Sequence, residues 1–229
     1  MRVLVIQNCM TEDIGLYEEC MKINGVQYDV LHAYLGKRFP STRDYNAIIV
    51  GGTPISANKI REYSYLMREW RFLKEAVMED KPILGICFGA QILAKLLGAE
   101  VRKMSKMEIG TYHVELTEAG RKSKIFKDFP NQFPVFHWHS YTFQTSKKVE
   151  LLVRGKDCSP NQAFKHGNQI GIQFHLELAP KAIEKWIEKY RHELAETCKT
   201  KTRILQECSM VKEEMKKLAY KLMENFLNI

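Results

Sequence analysis

A cysteine with glycine two residues away on either side, entered from an apolar run, can do covalent chemistry. Such a residue stands in Gly85-Ile-Cys-Phe-Gly-Ala-Gln91, directly after Pro82-Ile-Leu. The pattern is that of a nucleophile elbow, where a strand turns sharply into a helix and holds the central side chain at the crest. Gly85 and Gly89 occupy positions where the turn leaves no room for a Cβ. The helix expected next, Phe88 to Leu97, presents its N-terminal amides to the Cys87 sulfur, a field that favours the nucleophilic thiolate. A base is then needed, and Gly171-Ile-Gln-Phe-His-Leu-Glu177 offers one. His175 can take and return the proton, and Glu177, two residues on along a strand, projects from the same face to orient the ring.

Each residue alone has an ordinary alternative. Free cysteine is among the most buried residue types, and a histidine on an apolar strand is commonly a satisfied core residue. The conjunction carries the reading, because nucleophile, base and orienter each have a physical role in a cysteine hydrolase. Gln91 lies one helical turn past Cys87 and can reach a substrate bound at the sulfur, or is a plain helix glutamine. Gly51-Gly52-Thr-Pro54 ends an expected strand; Gly52 N–H, with Phe88 N–H, can hold a developing oxyanion, or the glycines form a simple turn. In Phe136-His-Trp-His-Ser-Tyr-Thr-Phe143, His137 and His139 have the spacing of a metal pair. No third ligand of matching spacing appears, so they read as structural or substrate-contacting residues and no metal is expected.

The elements that must position these groups follow a βαβ rhythm: strands at Arg2 to Ile6 and Tyr28 to His32, with a helix from Glu12 to Lys22 between them. Ala47 to Val50 is a buried strand, Glu62 to Met78 a helix, and Ile83-Leu84 the strand into the elbow. This predicts an α/β fold, a central mostly parallel sheet flanked by helices, with working residues at the carboxyl ends of the strands. From Val101 to Phe174 short strands separated by turns predict an antiparallel extension: Tyr112 to Leu116, Val135 to Trp138, Leu151 to Val153, Gln162 to Phe164 and Ile170 to Phe174. Helices from Lys181 to Thr197 and Thr202 to Leu227 close the chain. In the last, Ile204, Cys208, Val211, Met215, Leu218 and Leu222 recur at spacings of four and three, a stripe to pack on the chain's own domain or form a homodimer contact.

With 229 residues, 45% of them hydrophobic, the chain fits one domain over 1–229, with 198–229 as a helical appendage. No run approaches the roughly 18 apolar residues of a membrane span, and no leader pattern is present, so a cytoplasmic location is expected. The six cysteines include no CxxC pair, which argues against a zinc or disulfide framework. The net charge of +8 comes from lysines interleaved with glutamates along the chain, and no nucleic-acid module accompanies it.

The chain resembles the class I glutamine amidotransferases, the Cys-His-Glu type, and within them free-standing proteins related to the glutaminase part of GMP synthase. The resemblance rests on Gly51-Gly52, Lys81 to Ala94, Glu108-Ile-Gly110, His137-Trp-His-Ser140, Asn161-Gln-Ala-Phe164 and Gly171 to Glu177. It implies that Cys87 forms a γ-glutamyl thioester, that Gly52 and Phe88 amides hold the oxyanion, and that His175 moves the proton while Glu177 fixes its tautomer. It also implies that Gln91 and the backbone at Ser140 and Tyr141 hold glutamine, that no cofactor is used, and that ammonia passes to a synthetase partner.

Three positions depart from the family pattern. Tyr141 stands where relatives often have Asp, removing a carboxylate near the expected substrate amino group. Leu176 replaces a proline, and Thr53 is inserted before Pro54. With no synthetase domain in the chain, two alternatives stay open: a stand-alone hydrolase acting on another γ-glutamyl amide, and a binding protein on the same fold.

Overall fold

Four apolar runs form the middle of the sheet because they can be buried on both faces. In the computed structural model, which describes residues 1–197 and 199–229, these are β1 (Arg2–Gln7), β3 (Ala47–Val50), β4 (Ile83–Ile86) and β9 (Gln169–Ile172). All residues of the last three are buried. With β2 (Gln27–His32) at the edge they make a parallel half, ordered β2-β1-β3-β4-β9. β8 (Asn161–His166), β7 (Glu150–Gly155), β5 (Val101–Leu116) and β6 (Gln132–Phe143) continue it antiparallel into a nine-stranded sheet. The expected architecture of a central parallel sheet with an antiparallel extension is the one observed, with one correction: β9, expected in the extension, pairs parallel with β4 and only its other edge, on β8, is antiparallel.

β5 and β6 are not the short strands that the sequence pattern predicts. They are 16 and 12 residues long and pair from Val101↔Phe143 to Glu115↔Gln132, with a register shift between Lys103 and Glu108. The first half of β5, Arg102-Lys-Met-Ser-Lys-Met107, has no clean alternation because most of it is exposed or half-buried. Only Arg102 and Lys103 of it have partners on β6, and Met104 to Met107 span the register shift.

Helices cover both faces. α2 (Ser64–Met78) and α3 (Phe88–Leu96) pack one side, contributing Leu66, Phe72, Leu73, Ile92 and Leu93 to that core. α1 (Gly15–Ile23), α5 (Pro180–Lys189) and α6 (Lys201–Leu227) pack the other. The five-residue α4 (Glu118–Lys122) follows β5. Along α6, Ile204, Cys208, Met215, Leu218 and Leu222 are buried and Val211 is packed against the same core. The stripe expected to serve either the chain's own domain or a second copy is therefore used within the chain, against α1, α5, β5 and β6. Cys198, where the appendage was expected to begin, lies outside the described residues. None of the described helices is long and apolar enough to cross a membrane.

Two helix boundaries differ from expectation, and both differences matter below. Glu12 is not in α1 but in the loop ahead of it, where its buried side chain bonds Tyr190. The helix expected to run from Lys181 to Thr197 stops at Lys189 and resumes as a short 3-10 turn, Glu193–Glu196. Hydrogen bonds from Tyr190 to Glu12 and from Trp138 to Glu193 compete successfully with helix propagation there.

Candidate active site

β4 delivers Cys87 at its carboxyl end, and the backbone there is strained. Cys87 has φ 51° and ψ −102°, a region that costs a residue with a side chain about 1–3 kcal/mol. Flanking hydrogen bonds hold it: Cys87 N–H donates to Ile172 O at 2.8 Å, and Gln91 N–H to Cys87 O at 3.1 Å. A Cβ on Gly85 would collide with the Gly89 backbone, and one on Gly89 with the Val50 carbonyl. The glycine spacing is thus required by the close passage of α3 over β3 and β4. Cys87 caps the N-terminus of α3, in the positive end of its dipole.

His175 and Glu177 come from the segment after β9, not from a continuing strand. His175 is fixed there by a two-way backbone bridge to Phe136 of β6, at 2.8 and 3.0 Å. Its Nδ1 lies 2.5 Å from Glu177 Oε1, and both side chains are buried. Burial opposes the charged ring, but the Glu177 carboxylate and the Cys87 sulfur overcome it and hold His175 well above the ordinary histidine range. Nδ1–H therefore donates to Glu177, while Nε2 is turned to Cys87 without a closed hydrogen bond. Such looseness is ordinary before substrate enters.

The other expected residues gather at the same cleft, a space of about 70 Å³ lined by Cys87, Phe88, Gln91, Ser140, Tyr141 and His175, among others. Gly52, just past β3, is beside the nucleophile: a Cβ there would lie 3.9 Å from Cys87 Cβ and 2.7 Å from Glu12 Oε2. Thr53 and Pro54 line the cleft directly. Gln91 Nε2 donates to Tyr141 O at 2.9 Å and to Gln173 Oε1 at 3.2 Å, so its amide anchors the Ser140-Tyr141 backbone. Gln173 in turn donates to the Cys87 sulfur at 3.6 Å. From behind the Gly51-Gly52 turn, Asn8 reaches Gly51 O at 3.4 Å and Glu69 at 3.0 Å.

His137 and His139 acquire the third group that sequence spacing did not reveal. Glu108, across the β5–β6 ladder, brings a carboxylate oxygen within 4.8 Å of both rings. The three are already bonded to one another and to their surroundings. His137 Nδ1 is 2.7 Å from His139 Nε2, which is 3.2 Å from Glu108 Oε2, and Glu108 also accepts from Ser159 N–H and its hydroxyl. Two imidazoles sharing a tetrahedral ion at about 2.0–2.1 Å need nitrogens roughly 3.3 Å apart, so the 2.7 Å contact is a hydrogen bond. His139 Nδ1–H donates to Tyr141 O at 3.0 Å, which makes the cluster a brace for the Ser140-Tyr141 backbone. Burial and neighbouring cations push His137 well below the histidine range, keeping it neutral.

Among the cleft residues given no role from sequence are Glu12, Trp138, Trp186, Tyr190 and Glu193. Trp186 stands edge-on to His175, with ring centroids 5.1 Å apart, and donates its indole N–H to Thr11 O. Glu12 is pushed up to about 7 by burial, partly offset by His175, the Tyr190 hydroxyl and Lys189. A signal was available in Trp186 and Tyr190, four apart on the same face at the end of the helix that follows the His175 segment.

The family model for glutamine amidotransferase class-I matches residues 14–191. The chain is 30% identical over 201 residues to the glutamine amidotransferase-like protein YfeJ of Salmonella typhimurium, covering 86% of this chain and 84% of that one. It is 38% identical over 103 residues to one subunit of the glutamine-hydrolysing GMP synthase of Pyrococcus furiosus, 43% of this chain and 52% of the relative. The crystal structure of a Thermotoga maritima glutamine amidotransferase superimposes with a TM-score of 0.91 at 30% identity, covering 100% and 99% of the two chains.

Proposed function

Because the chain belongs to the class I glutamine amidotransferase family, we propose that it hydrolyses glutamine, or a γ-glutamyl amide, through a thioester on Cys87. The observation that carries this is the set of Cys87 on its strained turn, His175 facing it, and Glu177 2.5 Å behind the ring. Cys87 Sγ attacks the side-chain carbonyl carbon, and the oxygen takes up negative charge against the amides of Gly52 and Phe88. His175 protonates the nitrogen, the C–N bond breaks and ammonia leaves. Water then gives a proton to His175 and attacks the thioester, freeing glutamate and the thiolate. Gln91, Ser140 and Tyr141 hold the rest of the substrate.

The first version of the reading passes the ammonia to a separate synthetase chain. Such a division is what the name of the Pyrococcus furiosus relative, one subunit of a GMP synthase, describes for that protein. Free thiols at all five described cysteines suit a reducing, cytoplasmic setting. Tyr141 favours a second version, a stand-alone hydrolase, since it offers no carboxylate to a substrate amino group.

The test is glutamate and ammonia release from L-glutamine by the purified protein, beside Cys87→Ala and a cysteine-reactive glutamine analogue followed by intact mass. Cysteine-dependent release establishes glutamine as a substrate and turns the question to what receives the ammonia, and labelling without release points to a required partner. Neither labelling nor release from glutamine or other γ-glutamyl amides overturns the reading.

A further inference from the structure

The leaving nitrogen takes its proton from His175, so whatever that nitrogen carries projects from the His175 side of the cleft. Ammonia needs no wall there, yet one is built. Trp138, Trp186 and Tyr190 meet with ring centroids 5.9–6.3 Å apart, and Trp186 continues onto His175. Two acidic side chains border the rings. Glu193 Oε2 accepts from the Trp138 indole at 2.5 Å, and Glu12 Oε1 accepts from the Tyr190 hydroxyl at 3.0 Å. Glu12 is only 8% exposed, and its Oε2 has no hydrogen-bond partner among the described residues although the side chain lines the cleft beside Cys87. A nearby cation, Lys189, is turned to Thr11 Oγ1 at 2.8 Å and lies over the outer face of Tyr190.

Aromatic faces combined with carboxylates are the chemistry that holds an organic ammonium group. Resting on the thioester reading above, we infer that this wall is a leaving-group subsite for a cationic amine, and that the protein hydrolyses γ-glutamyl amides of short diamines as well as glutamine. The step balances as simple hydrolysis: the amide C–N bond breaks, the nitrogen takes the His175 proton, and water cleaves the thioester to glutamate. The free diamine departs past Trp186. With its proton held to about pH 7 by burial, Glu12 gains its charge as the ligand's charge arrives.

The experiment compares kcat/KM for four matched amides: γ-glutamyl-ethylenediamine, γ-glutamyl-putrescine, γ-glutamyl-ethylamide and γ-glutamylglycine, with L-glutamine alongside. Protection of Cys87 from alkylation by the same compounds reads their relative binding without turnover. The expected result is that at least one diamine amide exceeds the neutral ethylamide by about tenfold or more and the anionic glycine amide by more still. Glu12→Gln and the double variant with Glu193→Gln bring the diamine-to-ethylamide ratio close to one. A merely structural role for Glu12 would lower all substrates together and leave that ratio intact, which overturns the inference. So does equal or better use of the neutral or anionic amide. Glutamine cleavage with no charge preference removes this inference and leaves the glutaminase reading standing, whereas no cleavage and no Cys87 labelling removes both.

Discussion

The two walls of the cleft are built on opposite plans. On the nucleophile side, Cys87, Phe88 and Gln91 lie within five residues, on one strand-to-helix turn whose geometry is dictated by Gly85 and Gly89. On the leaving-group side, Glu12, Trp138, Trp186, Tyr190 and Glu193 come from the loop after β1, from β6, and from α5 with the 3-10 turn that follows it. His175 stands between them, held by a single backbone bridge to β6. In the proposed reading the first wall carries the bond-breaking chemistry in a local motif, and the second sets what can lie beside it through tertiary contacts alone. A family can therefore keep one chemistry while the other wall diverges.

The largest effect expected from breaking the comparison falls on the first wall. Cys87→Ala removes the nucleophile and lowers kcat by at least about 10⁴-fold. Alanine keeps a Cβ at the same positive φ, so the melting temperature should move by only a few degrees. Retained turnover would mean that the thioester chemistry is misassigned. Glu177→Gln comes next, with an expected loss of about 10²–10⁴-fold in kcat. Without the carboxylate, burial is no longer overcome and His175 titrates at lower pH; its ring resonances followed by NMR across pH measure the shift. An unmoved titration would remove Glu177 as the orienter.

What was legible in the sequence divides along the same line. The elbow was readable because the constraint on Gly85, Cys87 and Gly89 is local and steric. Most of the parallel half was readable because β3 and β4, buried on both faces, are uninterrupted apolar runs, whereas β9 was read into the extension and its parallel pairing with β4 was not. The long hairpin of β5 and β6 was not, since the two paired parts of β5 on either side of Met104 to Met107 are joined into one strand only by their register on β6. Glu108 joining His137 and His139 was hidden for the same reason: the cross-strand register brings Glu108 opposite His139, and sequence spacing does not report register. Glu12 was read as the start of a helix, but it lies in the loop ahead of α1. Its actual neighbour is Tyr190, 178 positions away.

α6 supports the second wall from beneath, packing on α5 and α1. Leu222, fully buried on it, is a point at which to weaken that support. Leu222→Ala should cost about 3 kcal/mol in urea unfolding, within the usual 2–5 for such truncations. Glutamine turnover below the melting transition should change much less than stability, because the nucleophile wall is anchored on β4 and α3. A loss of turnover equal to that of Glu177→Gln would show that the two walls are not separable.

The smallest effect sharpens the comparison through two buried acids, one on each side. Glu69 lies behind the oxyanion loop, pushed up to about 8 by burial with only Asn8 as a hydrogen-bond partner, and Glu12 on the leaving-group wall reaches about 7. Both begin from 4.5 in the unfolded chain. A carboxyl whose folded pKa is raised binds its proton more tightly in the folded state. Its contribution to stability is therefore complete below pH 4.5 and is lost as pH rises, through about 7 for Glu12 and about 8 for Glu69. Glu69→Gln keeps an uncharged acceptor for Asn8 and removes that titration. It should flatten the fall in unfolding free energy between about pH 5 and 8 by on the order of 2 kcal/mol, after allowance for local relaxation around the buried group. Glu12→Gln should flatten it less, and over a window ending nearer pH 7, because Tyr190, Lys189 and His175 already favour its charged form. Equal flattening by the two, measured by urea unfolding at stepped pH, would mean that the leaving-group wall is as inhospitable to charge as the core behind the loop, and so a poor place to receive an ammonium group.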